Sequence, residues 1–319
     1  MHTAIEHVAL DRVDFNDHTF QVRTPGPVGP LARAIGQMGL LNEPFVRARG
    51  TCLQIVSGFH RMRACRDLAW ETLPVKLLPS STDTLGMVRL AITENVFHRP
   101  LDIVEQARCM GMLVGHCKLN QKALQAELNH LNQKKWWGMR NKLIAVDGLS
   151  PDLKAALGAD IVGLPVALEL AQWEDEAARG MVNLFRRLPM GLNRQRELVT
   201  WIKEIALRDK CTLARVIDDN RPRGSDDRQA GDRGVQTRRL RDRLFARRYP
   251  RRAKAQADFD AKASKAHLGP GIRLIPPANF EAHQYRMELG FQSRHELRKR
   301  VTQLQKAMTH TNFNDLIPG

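Results

Sequence analysis

The segment that most restricts the fold is Val56–Leu78, VSGFHRMRACRDLAWETLPVKLL, in which an apolar strand-like run passes through Gly58 into a helix and then into a second apolar run. Two further strand-like runs precede it, PFVRAR and CLQIVS, separated by Gly50 and Thr51 as in a hairpin. Strands and helices joined by such short connections predict a small mixed α/β domain, residues 1–99.

The pattern changes after Pro100, where strand signals largely vanish and helical periodicity dominates to about residue 217. This predicts an all-helical domain, residues 100–217. The run DDNRPRGSDDRQAGDRG that follows is nearly devoid of apolar residues and cannot bury a core, so residues 218–265 are interpreted as a basic linker whose degree of order stays open.

The last segment, residues 266–319, again shows patterns of regular secondary structure. YRMELGF alternates apolar and charged residues as a half-buried strand does, and Ser293 with Glu296 forms a capping box before a helix with Leu297 and Val301 on one face. One strand and one helix are too small to be stable alone. Pairing with a second copy predicts a homodimer; packing onto its own chain is the alternative.

The chain length of 319 residues predicts two or three domains. There is neither a long apolar run for a membrane span nor a signal-peptide pattern at the N-terminus, so a cytoplasmic protein without a membrane partner is expected. The five cysteines are scattered without a C-x-x-C pair, which predicts free thiols and no metal site.

The net charge of +16 favours polyanions as partners, because bound cations release counterions from nucleic acid. The stretch from Arg221 to Lys254 holds thirteen lysines or arginines against four aspartates, which leaves it with +9 of that total. Contact with nucleic acid is the favoured interpretation of this stretch. A solvated linker that touches nothing is the alternative.

The turn at Gly58 has the chemistry of a phosphate site. A glycine at a strand-to-helix junction lets a ligand approach the backbone, and the first N–H groups of the helix attract anions. Arginines near the first turn, Arg61 and Arg63, add bidentate hydrogen bonding to phosphate oxygens. Taken alone, the pattern is equally consistent with an ordinary surface helix that carries arginines.

Together with a second segment, ENVFHRPLDIVEQA, the turn resembles the ParB family of partition proteins. That family carries G-E-R-R-x-R-A at the turn and E-N-x-Q-R before a helix; GFHRMRA keeps the glycine, two arginines and alanine, and the second segment keeps Glu94 and Asn95. LNQKALQAELNHLNQKKWWGMRNKL looks like the helix-turn-helix that follows in the family. The resemblance covers roughly residues 10–215.

The resemblance implies an α+β multidomain protein: a ParB/sulfiredoxin-like α/β domain, a helical helix-turn-helix domain and a C-terminal strand-helix dimerisation segment. It implies CTP and Mg²⁺ as cofactors, double-stranded DNA and a ParA-like ATPase as partners, and a nucleoid- or plasmid-associated clamp with weak CTPase activity. The nucleotide-binding residues would be Gly58, His60, Arg61, Arg63, Glu94 and Asn95. The DNA-binding residues would be Gln133, Lys134, Lys135, Arg140 and Lys142.

Four departures from the family motifs leave nucleotide binding and hydrolysis open: Phe59, His60, Phe97 and His98 stand where the family has Glu, Arg, Gln and Arg. The two histidines are only partly protonated near neutral pH. The turn is also similar to that of sulfiredoxin, but Phe59 occupies the position of its catalytic cysteine. Two alternatives remain: a transcriptional regulator derived from partition proteins that has lost nucleotide dependence, and a nucleotide-using or nuclease enzyme of the same fold.

Overall fold

The computed structural model describes residues 4–221, 233–266, 268–277 and 284–309, with the single positions 280 and 313. The chain divides into two compact units, Met1–Val182 and Asn183–Gly319, which are treated separately. None of the helices in these residues combines the length and apolar character that a bilayer crossing requires.

A five-stranded sheet forms the start of the first unit. Its strands are Ala4–Ala9 (β1), Val13–Asp14 (β2), Phe45–Arg49 (β3), Cys52–Ser57 (β4) and Thr72–Leu77 (β5), and the helices among and after them are Gly29–Met38 (α1), Phe59–Asp67 (α2) and Thr84–Val96 (α3). The strand order is β1-β5-β3-β4-β2. β1 pairs antiparallel with β5 and β3 with β4, whereas β3–β5 and β2–β4 are parallel. The predicted hairpin and the strand-helix-strand segment are therefore confirmed.

Helices alone follow in the rest of the first unit. They are Ile103–Gly111 (α4), Gln121–His130 (α5), Lys134–Asp147 (α6), Pro151–Gly158 (α7), Leu164–Leu170 (α8) and Asp175–Arg187 (α9), the last of which runs across the unit boundary. α4 packs closely on α6, because Gly111 has no side chain: a Cβ there would come within 2.0 Å of Asp147 Oδ2. The predicted change from mixed to helical structure after Pro100 is confirmed.

The second unit begins with Leu192–Asp209 (α10) and Leu213–Asn220 (α11) and continues with Arg233–Arg248 (α12) and Pro250–Lys265 (α13). The last two lie in the stretch interpreted as a basic linker, so this part is helical; residues 222–232 lie outside the described residues. The charged composition did not predict α12, because a narrow apolar face is enough to anchor this helix. Thr237, Leu240 and Leu244 are buried at helical spacing among the arginines.

The C-terminal strand and helix are Arg286–Leu289 (β7) and Arg294–Met308 (α14). The predicted capping box is found only in its first half: the Ser293 hydroxyl accepts from the Glu296 N–H, but Glu296 Oε2 accepts from the N–H of Gln292 in place of that of Ser293. β7 pairs antiparallel with Ile272–Ile275 (β6). Ala307 joins a buried cluster with Phe259 of α13, so this segment does pack onto its own chain.

Candidate functional site

The turn between β4 and α2 is built around Gly58, which has a φ of +93° in the left-handed region. A Cβ at this position would lie 2.6 Å from Pro44 Cβ, so the approach of the two backbones also requires glycine. No side chain caps the N-terminus of α2. Its first N–H groups and its dipole are therefore available to an anion.

This turn opens into a cavity of about 780 Å³ within the first unit. Five of the six predicted nucleotide-binding residues line it: Gly58, His60, Arg61, Glu94 and Asn95. Arg63 is not among the lining residues. The structure thus brings together two sequence segments that lie more than thirty positions apart.

Arg61 connects the turn to two other segments. Its Nη1 donates to the backbone oxygens of Asn42 at 2.7 Å and Glu43 at 3.4 Å, and its Nη2 lies 3.4 Å from Glu94 Oε2. The side chain of Arg61 is 19 % exposed and that of Glu94 32 %. The positive charge of Arg61 at the cavity is therefore partly balanced by the Glu94 carboxylate.

Glu105 at the start of α4 organises the other wall of the cavity. Its carboxylate is fully buried and accepts from Arg23 Nη1 at 3.2 Å and from Arg99 Nη1 and Nη2 at 3.0 and 2.8 Å. The backbone N–H groups of Thr24 and Asp102 donate to it as well. One carboxylate between two guanidinium groups leaves a net charge of +1 at this wall.

Arg23 completes this network by donating from Nη2 to the backbone oxygens of Asn95 at 2.5 Å and Arg99 at 3.0 Å. The Asn95 side chain is itself held by the Ala91 carbonyl at 2.8 Å. Although burial alone would raise the pKa of Glu105, the hydrogen bonds from Arg99, Asp102 and Thr24 hold it below its usual value. The carboxylate is therefore ionised in the folded protein at neutral pH.

Sequence reasoning missed Arg23, Lys76 and Arg99, all of which line the cavity. Arg99 could have been found, since it directly follows His98, the position where the family motif has arginine. Nothing in the sequence marks Arg23 or Lys76, because the first lies in a loop without periodicity and the second in a strand. Lys76 is paired with Glu43, its Nζ 3.2 Å from Oε2.

His60 is half-buried, and desolvation lowers its pKa below the usual value. The nearby charge of Arg63 lowers the pKa further, and that of Arg23 acts in the same direction. A hydrogen bond with the Thr24 backbone and the Glu105 carboxylate oppose the shift without reversing it. His60 is therefore predominantly neutral at pH 7 and offers a hydrogen-bonding imidazole in place of a full charge.

The lowered pKa of His60 predicts an acid-side loss of stability. Below its usual pKa of 6.5 the unfolded chain binds the proton while the folded chain does not, so the free energy of unfolding decreases until the folded pKa is passed. We expect urea titrations of the wild-type protein to show a steeper decrease below pH 6.5 than those of His60→Gln. Equal pH dependence of the two proteins would contradict this assignment.

The second predicted site lies on the helix pair α5–α6, joined by a short turn that contains Asn132 with a φ of +57°. Trp136 is buried, whereas Trp137 is partly exposed with the Arg140 guanidinium 4.4 Å from its ring.

The predicted DNA-binding residues differ in their accessibility. Lys134, Lys135 and Lys142 are exposed, and the latter two share a face because they are seven residues apart. Gln133 is the N-cap of α6. Arg140 is partly buried against Trp137, so this guanidinium is less available than the lysines.

An ion pair joins the helix that carries Glu94 to the α5–α6 pair. Arg89 of α3 donates from Nε and Nη2 to the two carboxylate oxygens of Glu127 at 2.7 and 2.6 Å. The Glu127 side chain is 5 % exposed, whereas that of Arg89 is 43 % exposed. Since α3 also contributes Glu94 and Asn95 to the cavity, this helix contacts both candidate sites. Among the described residues, no cluster of three His, Cys, Asp or Glu side chains is arranged to hold a metal ion.

Comparison with known proteins gives a family match for the first domain: residues 2–96 match the ParB N-terminal domain. A probable chromosome 1-partitioning protein ParB from Deinococcus radiodurans is 32 % identical over 104 residues, which are 33 % of this chain and 35 % of that protein. The chain therefore aligns with about a third of the length of that curated relative.

Similar solved structures have low identity to this chain. The C-terminally truncated chromosome-partitioning protein ParB from Caulobacter crescentus complexed with CTP-γ-S is 19 % identical, with a TM-score of 0.27, and the match covers 57 % of this chain and 98 % of that one. The same protein complexed to the centromeric parS site is 16 % identical, with a TM-score of 0.33 and coverage of 60 % and 97 %. A Pnob8-like ParB-N domain is 14 % identical, with a TM-score of 0.37 and coverage of 62 % and 90 %.

Proposed function

We propose that this protein, whose residues 2–96 form a ParB N-terminal domain, is a DNA-binding partition protein that serves a plasmid or chromosome. The observation that carries the proposal is the order of its parts: the segment that matches the ParB N-terminal domain is followed, after α4, by the α5–α6 pair with lysines on the exposed side of α6. A basic helix after a short turn is the usual major-groove element of a helix-turn-helix.

Both sides of α6 suit a recognition helix. Lys134 and Lys135 stand at the start of the helix, where recognition helices contact base edges and the flanking phosphates. The buried side of α6, with Trp136, Leu143 and Val146, anchors the helix to the rest of the domain. Rigid support is what fixes the register of a recognition helix on a duplex.

The test of this proposal is capture of sheared DNA from the replicon that encodes the chain, followed by sequencing. The full-length protein is expected to enrich one or a few discrete sites, and the double variant Lys134→Ala/Lys135→Ala to lose them, because both cations at the start of α6 are gone. A variant with the same loss of charge at exposed arginines elsewhere, Arg33→Ala/Arg194→Ala, is expected to keep the enrichment. Discrete sites retained by the α6 variant would contradict the assignment.

The cavity at Gly58 is proposed as a site for CTP with Mg²⁺, bound as part of a DNA clamp. A volume of about 780 Å³ lies within the range of small-molecule sites, roughly 300–1,000 Å³. The residues present fit a triphosphate: the start of α2, Arg61 and Arg99 can donate hydrogen bonds to its oxygens, and the partly exposed carboxylate of Glu94 would hold Mg²⁺. Bound CTP would switch the clamp between open and closed states. Weak CTPase activity is also part of this proposal.

Arg99 supports this assignment in spite of the departures from the family motifs. His98 replaces an arginine, but Arg99 lines the same cavity with a side chain that is 54 % exposed. Arg23 adds a second guanidinium from the loop before α1. The cationic character expected of the site is thus retained by different residues, and His60 contributes a neutral imidazole.

Homodimerisation through the C-terminal segment remains part of the proposal, together with a ParA-like ATPase as partner. Val301 and Met308 on α14 are 40 % and 51 % exposed, and Phe291 before it is 51 % exposed. Their apolar surface is left over after α14 packs on its own chain. A second copy would cover it.

A regulator without nucleotide dependence is the second candidate, and the neutral state of His60 favours it. In that case the cavity is an inherited scaffold and DNA binding by α6 is the whole function. Calorimetric titration of the wild-type protein with CTP separates the two, because only the first candidate predicts CTP binding. An enzyme on the same fold would require turnover of a nucleotide or nucleic acid that depends on Arg61.

A further inference from the structure

Three arginines of α12 are neutralised within the second unit: Arg241 pairs with Glu197 at 2.8 Å, Arg247 with Asp209 and Asp219 at 3.0 and 3.1 Å, and Arg248 with Glu204 at 2.5 Å. These pairs hold α12 against α10 and α11. Their charge is therefore largely unavailable to an external polyanion, although a count of basic residues includes it.

Arg248 also lines a cleft of about 680 Å³ where α12 passes into α13. Eight described residues line this cleft, of which four are arginines and none is acidic: Arg208, Arg248, Tyr249, Pro250, Arg251, Arg252, Ala255 and Phe280. Arg251 and Arg252 are exposed and form no ion pair with any residue in the described part of the chain. Since Arg208 and Arg248 are each paired with one carboxylate, these described residues give the cleft a net charge of about +2.

Aromatic rings and backbone carbonyls orient these arginines. The Arg248 guanidinium lies 4.7 Å from the centre of the Tyr249 ring, and that of Arg252 lies 5.0 Å from the Phe245 ring. Arg208 Nη1 donates to the backbone oxygens of Arg247 and Arg248 at 2.6 and 3.2 Å. A guanidinium stacked on a ring keeps its N–H edges free, so less conformational entropy is lost when it binds an oxyanion.

We propose that this cleft binds the phosphate backbone of duplex DNA and gives each chain a second DNA contact, separate from α6. Phosphate fits the chemistry because a guanidinium fork matches two phosphate oxygens. The rings already hold arginines, which favours backbone contact over stacking with bases. An acidic peptide would need apolar pockets as well, and the cleft offers only Pro250, Ala255 and the ring edges. The inference rests on the proposed DNA-binding function.

The test measures binding of a fluorescent duplex of scrambled sequence to the full-length protein by anisotropy over a series of salt concentrations. In Arg251→Ala/Arg252→Ala the slope of log K against log salt is expected to be smaller in magnitude by about 1.8, because two phosphate contacts are lost. Arg251→Lys/Arg252→Lys should keep the wild-type slope, since it keeps the charges. The control Arg298→Ala/Lys299→Ala removes two exposed cations of α14 in the same unit and should also keep it.

Two results would overturn the inference while leaving the proposed function intact: an unchanged slope in the cleft variant, or an equal decrease in the α14 control. Loss of binding to a fluorescent polyglutamate probe, with an unchanged slope on DNA, would assign the cleft to an acidic protein partner instead. Failure of the wild-type chain to bind any duplex would overturn the proposed function together with this inference. Circular dichroism of each variant verifies that the fold is retained.

Discussion

Replacement of Glu105 by alanine should lower the free energy of unfolding by about 3–5 kcal/mol, the usual cost of removing one partner from a buried ion pair. The Glu105 carboxylate is fully buried, and the side chain of Arg23 is only 11 % exposed. Without Glu105, the Arg23 guanidinium keeps the carbonyls of Asn95 and Arg99 but has no counter-charge. Equilibrium denaturation in urea measures the loss.

The matched control for this substitution is Asp102→Ala. Asp102 and Glu105 form one capping box at the start of α4, so the control removes the cap and leaves the ion pair intact. Loss of an N-cap costs about 1 kcal/mol. A Glu105→Ala variant no less stable than Asp102→Ala would mean that the arginines are adequately solvated without the carboxylate.

The pH dependence gives an independent check on Glu105. Its pKa is held below the usual 4.5, so its contribution to stability is fully present above that pH and is lost as the pH falls through the lowered value. Wild-type protein should therefore lose stability more steeply at acid pH than Glu105→Gln, whose side chain does not titrate. Equal acid profiles would contradict an ionised Glu105 in the folded state.

The second large effect is expected for Gly58→Ala, which should abolish CTP binding and lower the free energy of unfolding by about 3 kcal/mol. Alanine in the left-handed region costs about 1–2 kcal/mol, and a Cβ 2.6 Å from Pro44 Cβ adds the cost of overpacking. Both effects displace the start of α2. The cavity would lose the turn that positions its first N–H groups and Arg61.

Gly26→Ala is the control for Gly58→Ala. Gly26 lines the same cavity, but a Cβ there would meet no atom within 4 Å, so stability and binding should stay close to those of wild type. Calorimetric titration with CTP and Mg²⁺, with ATP for comparison, measures binding. Wild-type binding that survives Gly58→Ala would remove the turn from the site. The absence of CTP binding in the wild-type protein, with or without DNA, would favour the nucleotide-independent regulator.

The parts of the structure that were predictable depend on neighbours in the sequence. The hairpin of β3 and β4, the strand–Gly58–α2 turn and the Ser293 cap of α14 all follow from patterns a few residues long. The match of residues 2–96 to the ParB N-terminal domain confirms the resemblance drawn from the two motifs over this segment. Within the second motif, Glu94 and Asn95 stand on α3 and line the cavity with Gly58.

The features that the sequence did not predict depend on contacts between residues that are far apart in the sequence. Arg23 and Glu105 are 82 positions apart, and only the packing of α4 beside the loop before α1 brings them within 3.2 Å. The helical state of residues 233–265 is a similar case. Its sequence is mostly charged, so local composition does not predict a helix. The burial of Leu240 and Leu244 and the ion pairs with α10 and α11 stabilise it.

The sequence by itself determined the change from mixed to helical structure after Pro100, the glycine turn and the excess of positive charge, because these depend on periodicity, backbone conformation and composition. Only the tertiary structure decided which of those charges remain free. Arg241 and Arg247 are neutralised by carboxylates from other helices, whereas Arg251 and Arg252 pair with no carboxylate among the described residues. The reason is physical: the Coulomb energy of a charge depends on its distance to other charges and on its exposure to water, and folding sets both.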